Sequence, residues 1–471
     1  MPNQSFLVAG GTKDTSPCDT PTSTRPKRTS MWVWIALAAA GVTVLLLAKT
    51  NQHVSQVSPI VAPTDSRTVS NATLAAAFDY RPYVGPPGSV VYYTNWARYS
   101  RNKPEDLTLT GINVVNYAFY FVDSQGAVTS SDAWGDSLNL PALRAQRLKY
   151  PQLLTVAAIG GWTGSRYFSD MASTAETRAA FADNVLELLN ANGFDGVDLD
   201  WEYPGGNNGL SCNSQRPNDA DNFVLLLQQL RLKLGENRLI SIAVSSSVTP
   251  YGLNLKAIEK EVSYMTVMTY DFNGPWSKFS DFNSALNADP KLIDPNPGQS
   301  SISSAMNAYV QAGVSKSKLV PGVSYYGRSW QVKTIGANNG LYQECGSSPN
   351  PLNGACVAIK GDKDDALEAD KCTGATSYSG VWSWRNMRSQ TNAPLLSQTT
   401  ARTGWTRKYF RIFESATLRS GRTFISYDDP TSILAKSKWS KANGFGGVMV
   451  WEISLDYNNE LTNAMLRGWA A

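Results

Sequence analysis

The feature that most limits what this chain can fold into is a rhythm beginning near Ser89, in which short β-branched and aromatic runs alternate with helix-like stretches. The candidate strands are residues 90–93 (VVYY), 113–121 (NVVNYAFYF), 153–160 (LLTVAAIG), 196–201 (GVDLDW), 239–244 (LISIAV), 264–270 (YMTVMTY), 319–323 (LVPGV) and 447–451 (GVMVW). Between them lie periodic stretches such as 175–191, preceded by the capping pair Ser173-Thr174, and 219–234, which opens on acidic residues. Strand–helix–strand spacing implies a parallel sheet, and eight strands are what a closed (β/α)8 TIM barrel of the α/β class needs. One interval breaks the rhythm. Residues 328–427, between the seventh and eighth runs, hold three cysteines and several aromatics, and read as an α+β subdomain inserted on the rim of the barrel.

A length of 471 residues suits one large barrel with appendages. The net charge of +4 is small for that length and no basic stripe runs through the body, so no nucleic-acid partner is expected and neutral substrates fit better. The only histidine is His53, in a polar stretch near the N-terminus. The body therefore lacks the imidazole of a Ser-His-Asp triad or a His-ligated metal, and no CxxC spacing suggests a metal site either. No metal or cofactor is implied, and carboxylates must carry any acid–base chemistry.

Residues 1–30 form a polar tail, and residues 31–48 (MWVWIALAAAGVTVLLLA) then run for 18 residues without a charge. That is just long enough to span a lipid bilayer. Arg25, Lys27 and Arg28 precede it and only Lys49 follows closely, so the basic bias keeps the N-terminus inside. The expectation is a type II signal anchor with the body extracellular or lumenal; the alternative is a cleaved signal peptide and secretion. Residues 49–87 read as a stalk carrying the glycosylation acceptor Asn71-Ala72-Thr73, followed by a catalytic body over 88–460 that acts as a monomer. Cys18 falls in the tail, leaving Cys212, Cys345, Cys356 and Cys372 for disulfides with three alternative pairings.

The informative motif is the run 195–204, DGVDLDWEYP. Side chains alternate faces on a strand, so Asp198, Asp200 and Glu202 project to one side, the barrel interior, while Leu199 and Trp201 project to the other. At the strand rise, Glu202 stands roughly 6.6 Å beyond Asp200, at the C-terminal mouth where such barrels keep their active sites. Three crowded, buried carboxyls cannot all ionise near neutrality, which leaves a proton for a general acid. Asp195 lies outside the alternating set, and a structural role at the strand entrance is as good a reading for it as a catalytic one.

Here the chain resembles glycoside hydrolase family 18, the chitinases and their relatives, whose signature DxxDxDxE is matched by Asp195, Asp198, Asp200 and Glu202. MTYDFNG at 268–274 is similar to the family's MxYD segment, AIGGW at 158–162 to its SxGG strand, and GGVMVWEISLD at 446–456 to its last strand with a subsite tryptophan. The resemblance covers about residues 89–459; its main departure is Ala158, where the family has Ser. It implies retaining, substrate-assisted hydrolysis of chitin or other N-acetylglucosamine oligosaccharides. In that scheme Glu202 is general acid and base, Asp200 accepts the acetamido N–H, Asp198 holds Asp200, and Tyr270 bonds the acetamido oxygen. Asp271 assists positioning, Gly160 and Gly161 belong with Asp195 to the structural motif, and Trp451 floors the cleavage subsite. Tyr93, Trp96, Trp162, Tyr203, Met268, Trp276 and Tyr326 are further candidate contacts. Arg328 binds sugar hydroxyls or pairs with a carboxylate. A chitinase-like lectin and an endoglycosidase of N-linked glycans are the rival readings.

Overall fold

Runs that are apolar on both faces make strands covered on both faces. The computed structural model, which describes residues 80–205, 209–248, 251–289, 300–345 and 359–471, turns all the expected runs into parallel strands. They are β1 (Gly88–Thr94), β2 (Val114–Val122), β3 (Leu154–Gly160), β4 (Gly196–Asp200), β5 (Leu239–Ser245), β6 (Tyr264–Met268), β7 (Leu319–Ser324) and β8 (Gly447–Trp451). Because β1 pairs with both β2 and β8, the sheet closes on itself as the (β/α)8 barrel expected. A short strand, Val128–Ser130, hairpins antiparallel onto β2.

Two strands stop earlier than their sequence runs suggest: β4 ends at Asp200 and β6 at Met268. Glu202 and Tyr270 therefore sit on the turns that leave the barrel rather than within the strands. Non-proline cis peptide bonds join Ala118–Phe119, Glu202–Tyr203 and Trp451–Glu452.

The outer layer is anchored by local signals. Helix Ala175–Asn192 starts at Thr174, whose hydroxyl accepts the Thr177 N–H, and ends at Gly193 in the left-handed region at φ 70°. Helix Asp219–Leu234 buries Phe223, Leu226, Leu227, Leu230 and Leu234 against the sheet. Trp201, on the outward side of the acidic run, stacks on Phe168 at 5.4 Å and meets Phe223 edge-on at 5.4 Å. Truncating such a side chain to alanine costs about 3–5 kcal/mol, so the segment bearing the carboxyls is held from behind.

The insertion begins at Tyr326, slightly earlier than expected, with only Tyr325 between it and the end of β7. Strands Tyr326–Gln331, Val381–Ser383, Thr406–Phe410, Ser415–Ser420 and Thr423–Tyr427 form an antiparallel sheet, with Tyr326–Gln331 between Val381–Ser383 and Thr423–Tyr427. Helix Trp384–Ser389 adds the α part. Trp330, Val332, Leu341 and Phe424 form a satellite core with Phe282 and Phe413. The Cys212–Cys372 disulfide joins the loop after β4 to this insertion, and Cys345 is disulfide-bonded as well. Cys356 and residues 1–79, with the expected tail, anchor and most of the stalk, His53 and Cys18, lie outside the described residues; the stalk's expected last part, 80–87, belongs to the body instead, since the Arg81 N–H bonds Asp195 and Tyr83 packs on Tyr264. Among the described residues no helix is long and apolar enough to cross a membrane.

Candidate active site

The acidic run divides at its ends. Asp195, where the chain enters β4, is buried and bound by the Arg147 guanidinium at 2.6 Å and by the backbone N–H groups of Arg81 at 2.6 Å and Thr155 at 2.7 Å. Nothing there is open to a substrate, and the structural alternative for Asp195 is the one its surroundings favour.

Asp198 points into the barrel, where the Tyr92 hydroxyl donates to Oδ2 at 2.6 Å and the Ser241 hydroxyl to Oδ1 at 2.6 Å. Ala158 is its register partner on β3 and Ser241 its partner on β5, so the hydroxyl absent at 158 is matched by one on the opposite neighbour. Burial pushes the Asp198 carboxyl up to about 6, with the Ser241 and Tyr92 hydrogen bonds pulling the other way. Asp200 is buried with no hydrogen-bond partner on Oδ1. Burial first, then the charges of Glu202 and Asp198, raise it well above the usual carboxylate range. Glu202 is pushed up to about 7, mainly by burial, with Asp271 adding to the rise and a hydrogen bond from Tyr203 opposing it. The cluster thus retains a proton near neutrality, and the group that keeps it at the mouth is a carboxyl able to donate.

The glycines of the β3 loop are there for space. Gly160 has φ 115°, and a Cβ on it would lie 2.2 Å from the Asp200 carbonyl oxygen; one on Gly161, at φ 78°, would strike the Phe119 ring at 2.6 Å. Across the mouth, Tyr270 is buried beside Met449, to whose Sδ its hydroxyl points at 3.8 Å, and meets Tyr326 edge-on at 6.3 Å. Met268 is half-buried at the end of β6. Asp271, at φ 54°, takes a bidentate pair from Arg328, Nε to Oδ1 at 2.8 Å and Nη2 to Oδ2 at 2.7 Å. The guanidinium lies over Trp276 at 5.1 Å and Tyr326 at 5.3 Å. Of the two readings for Arg328, carboxylate pairing is the one observed.

Aromatic rings line the opening. Trp451 stacks on Phe119 at 5.6 Å and tilts against Tyr92 at 5.2 Å, Phe119 leads on to Trp96 at 6.4 Å, and Tyr203 stacks on Tyr251 at 5.0 Å. Trp162 and Trp276 are exposed. Tyr93 is a correction: it is fully buried, with its hydroxyl on the Asn102 carbonyl at 3.1 Å, because strand alternation turns Tyr92, not Tyr93, into the barrel. Tyr92 and Ser241 escaped the sequence reading, as did Tyr99 and Trp134, exposed rings stacked at 5.7 Å. Aspartate pairing with Tyr92 follows only from register, while an isolated Trp134 in a polar stretch carries a signal that could have been read.

A family model for glycosyl hydrolases family 18 matches residues 89–456. Chitinase A1 of Niallia circulans is 34% identical over 453 residues, covering 84% of this chain and 59% of that protein, so the chain spans less than two thirds of this relative. Endochitinase 1 of Metarhizium robertsii is 31% identical, covering 82% of this chain and 88% of the relative. Among solved structures, a chitinase from Rhizomucor miehei is similar with a TM-score of 0.71 at 29% identity, covering 82% of this chain and 100% of that one. Chitinase ChiA74 from Bacillus thuringiensis gives a TM-score of 0.70 at 29% identity, with 82% and 70% covered. A motif matched in full, the closed barrel that presents it and these relatives together place the chain in glycosyl hydrolases family 18.

Proposed function

We propose that the protein is a chitinase that cleaves β-1,4-N-acetylglucosamine linkages with retention, using the substrate's own acetamido group as nucleophile. The observation that carries this reading is the Asp198–Asp200–Glu202 series, in which each carboxyl is held above its usual range and Glu202 alone stands at the mouth with a proton near pH 7. Glu202 gives that proton to the glycosidic oxygen as the C–O bond breaks, and the acetamido carbonyl oxygen bonds to the anomeric carbon. Asp200, whose Oδ1 lacks a protein donor, accepts the acetamido N–H and offsets the positive charge of the oxazolinium, with Asp198 sharing its proton. Tyr270 binds the acetamido oxygen. Water then attacks the anomeric carbon from the vacated side, Glu202 takes its proton, and the ring opens to regenerate the acetamide.

Trp451 is the floor of the cleavage subsite, and Trp162, Trp276, Trp96, Tyr203, Met268 and the Tyr99–Trp134 pair extend the groove, since sugar faces stack on flat rings. The Asp271–Arg328 pair braces the wall. We read residues 31–48 as the membrane anchor, with the body outside the cytosol and acting as a monomer. The Cys212–Cys372 disulfide supports an oxidising compartment, which secretion after cleavage would satisfy equally.

The test is hydrolysis of N-acetylglucosamine oligosaccharides with the anomeric form of the product followed from the start. Release of the β-anomer and loss of turnover in Glu202→Gln, with oligosaccharide binding kept, are expected. Undiminished hydrolysis by Glu202→Gln would overturn the assignment.

A further inference from the structure

The backbone of Glu202 is gripped on both sides by residues that no part of the chemistry above uses. On the amide side, the Glu202 N–H donates to the Ser165 hydroxyl at 2.8 Å. Ser165 is fully buried, and its hydroxyl also lies 2.9 Å from the Gly161 carbonyl oxygen and 3.1 Å from that of Asp200. One hydroxyl therefore ties the β3 loop to the chain at Asp200 and Glu202, where it leaves β4. On the carbonyl side, the Asn213 amide donates from Nδ2 to the Glu202 oxygen at 3.0 Å, while Asn213 Oδ1 is buried with no partner. Only the donor end of Asn213 is engaged. The chain returns tightly here, for a Cβ on Gly209 would stand 2.2 Å from the same carbonyl oxygen.

Asn213 is itself held from both neighbours. Cys212 is bonded to Cys372 of the insertion across a sequence separation of 160, and Ser214 donates through its N–H and its hydroxyl to the Arg166 carbonyl, each at 2.9 Å. Arg166 adjoins Ser165. The result is a closed brace running from the insertion through the disulfide to Asn213, across Glu202, and back through Ser165 and Arg166. A segment that ends a strand and turns would otherwise be the least constrained part of the barrel.

We propose that Ser165 and Asn213 are positioning residues that fix the backbone of Glu202, and that the Cys212–Cys372 disulfide completes this brace by anchoring it to the insertion. The proposal rests on the reading of Glu202 as general acid. A displacement near 1 Å at a reacting group costs on the order of 100-fold in rate, so a brace on the backbone acts on turnover more than on substrate binding.

The experiment compares the full chain with Asn213→Asp, Ser165→Ala, Ser165→Thr and the double variant Cys212→Ser/Cys372→Ser. Each is measured for kcat, KM and the pH profile of chitotriose hydrolysis, with Glu202→Gln alongside. Asn213→Asp keeps the size of the side chain on a half-buried residue but exchanges the donor for a carboxylate, so its loss is read beside Ser165→Ala, which removes the other contact without adding charge. The expected result is a kcat lower by roughly tenfold to 100-fold in Asn213→Asp and Ser165→Ala with KM changed less than about threefold. Ser165→Thr, which keeps a hydroxyl, recovers part of the loss, and the cysteine variant falls between. In Ser165→Ala the alkaline limb moves to lower pH as the loosened carboxyl gains water, whereas in Asn213→Asp the added negative charge opposes that movement. If Asn213→Asp keeps the parent kcat and pH profile while Glu202→Gln is inactive, the brace is refuted and the acid stands. If Glu202→Gln retains hydrolysis, the acid assignment fails and the brace with it. Loss of thermal stability with kcat unchanged would mean that these contacts serve folding alone, which also overturns the proposal.

Discussion

The two ends of the acidic run treat one chemical group in opposite ways. At the entrance to β4, Asp195 is raised by burial as its neighbours are, but a guanidinium and two backbone N–H groups oppose the rise, and it is closed to solvent. Towards the mouth the donors thin out: Asp198 has two hydroxyls, and Asp200 has a buried Oδ1 with none. Glu202 is last, raised to about 7 by burial. A carboxylate that holds the fold together is paired with every donor in reach, because an unpaired buried charge is costly. One that must gain and lose a proton is kept short of donors, so that the neutral form stays within reach at working pH. The same strand does both because its two ends face different surroundings.

The largest effects should come from exchanging those fates. Glu202→Gln keeps the shape and removes the proton, and turnover is expected to fall by about 10²–10⁴-fold in an initial-rate assay. The same variant should be more stable than the parent at pH 8. The folded-state value of about 7 lies above the ordinary 4.5, so the stability this carboxyl contributes is present below pH 4.5 and is lost as pH rises through 7. Melting curves at pH 5 and pH 8 check it: the advantage of the Gln variant should appear only at the higher pH. Asp195→Ala does the reverse. Leaving the Arg147 charge buried without its carboxylate costs about 3–5 kcal/mol, read by denaturant unfolding, while kcat per folded molecule stays near the parent value.

A smaller change sharpens the comparison at the mouth. Asp271 adds to the rise of Glu202, so Asp271→Asn removes a neighbouring negative charge and the Glu202 carboxyl ionises at lower pH. The alkaline limb of kcat/KM is expected to move down from near pH 7. The shift is moderated because Arg328 already neutralises much of the Asp271 charge. A limb that stayed in place would show that burial alone sets the proton affinity.

How much of this could be read from the chain follows from what each feature depends on. The eight strands were legible because their runs are rich in β-branched and aromatic residues, and helix Ala175–Asn192 because Thr174 marks its start. The phase of β4 was legible because acids alternate with Leu199 and Trp201. The phase of β1 was not: VVYY has no polar face, so nothing in it distinguishes Tyr92 from Tyr93. Ser241, Ser165 and Asn213 are common residues whose meaning arises only when register and loop return bring them to Asp198 or Glu202. The Cys212–Cys372 pairing depended likewise on where the insertion falls, which spacing alone does not say.

The contrast between closed and open ends extends to the aromatic rings, and there the expected effect is smallest. At the base of the barrel Tyr83 packs on Tyr264, which is fully buried. At the mouth Tyr99 and Trp134 stack, yet remain 56% and 62% exposed. A stacked pair that folding required would be covered, since burial is where its stabilisation comes from. Trp134 sits in the first turn of helix Ala133–Lys149 and buries little, so Trp134→Ala should alter stability by under about 0.5 kcal/mol. If the ring instead receives a sugar face, its loss removes about 0.5–1.5 kcal/mol of binding, which is roughly a two- to twelvefold rise in KM. That rise should appear with long oligosaccharides and vanish with chitobiose-length substrates too short to reach the ring. Equal KM values at every length would place Trp134 outside the groove and confine the open end of the site to the rings around Trp451.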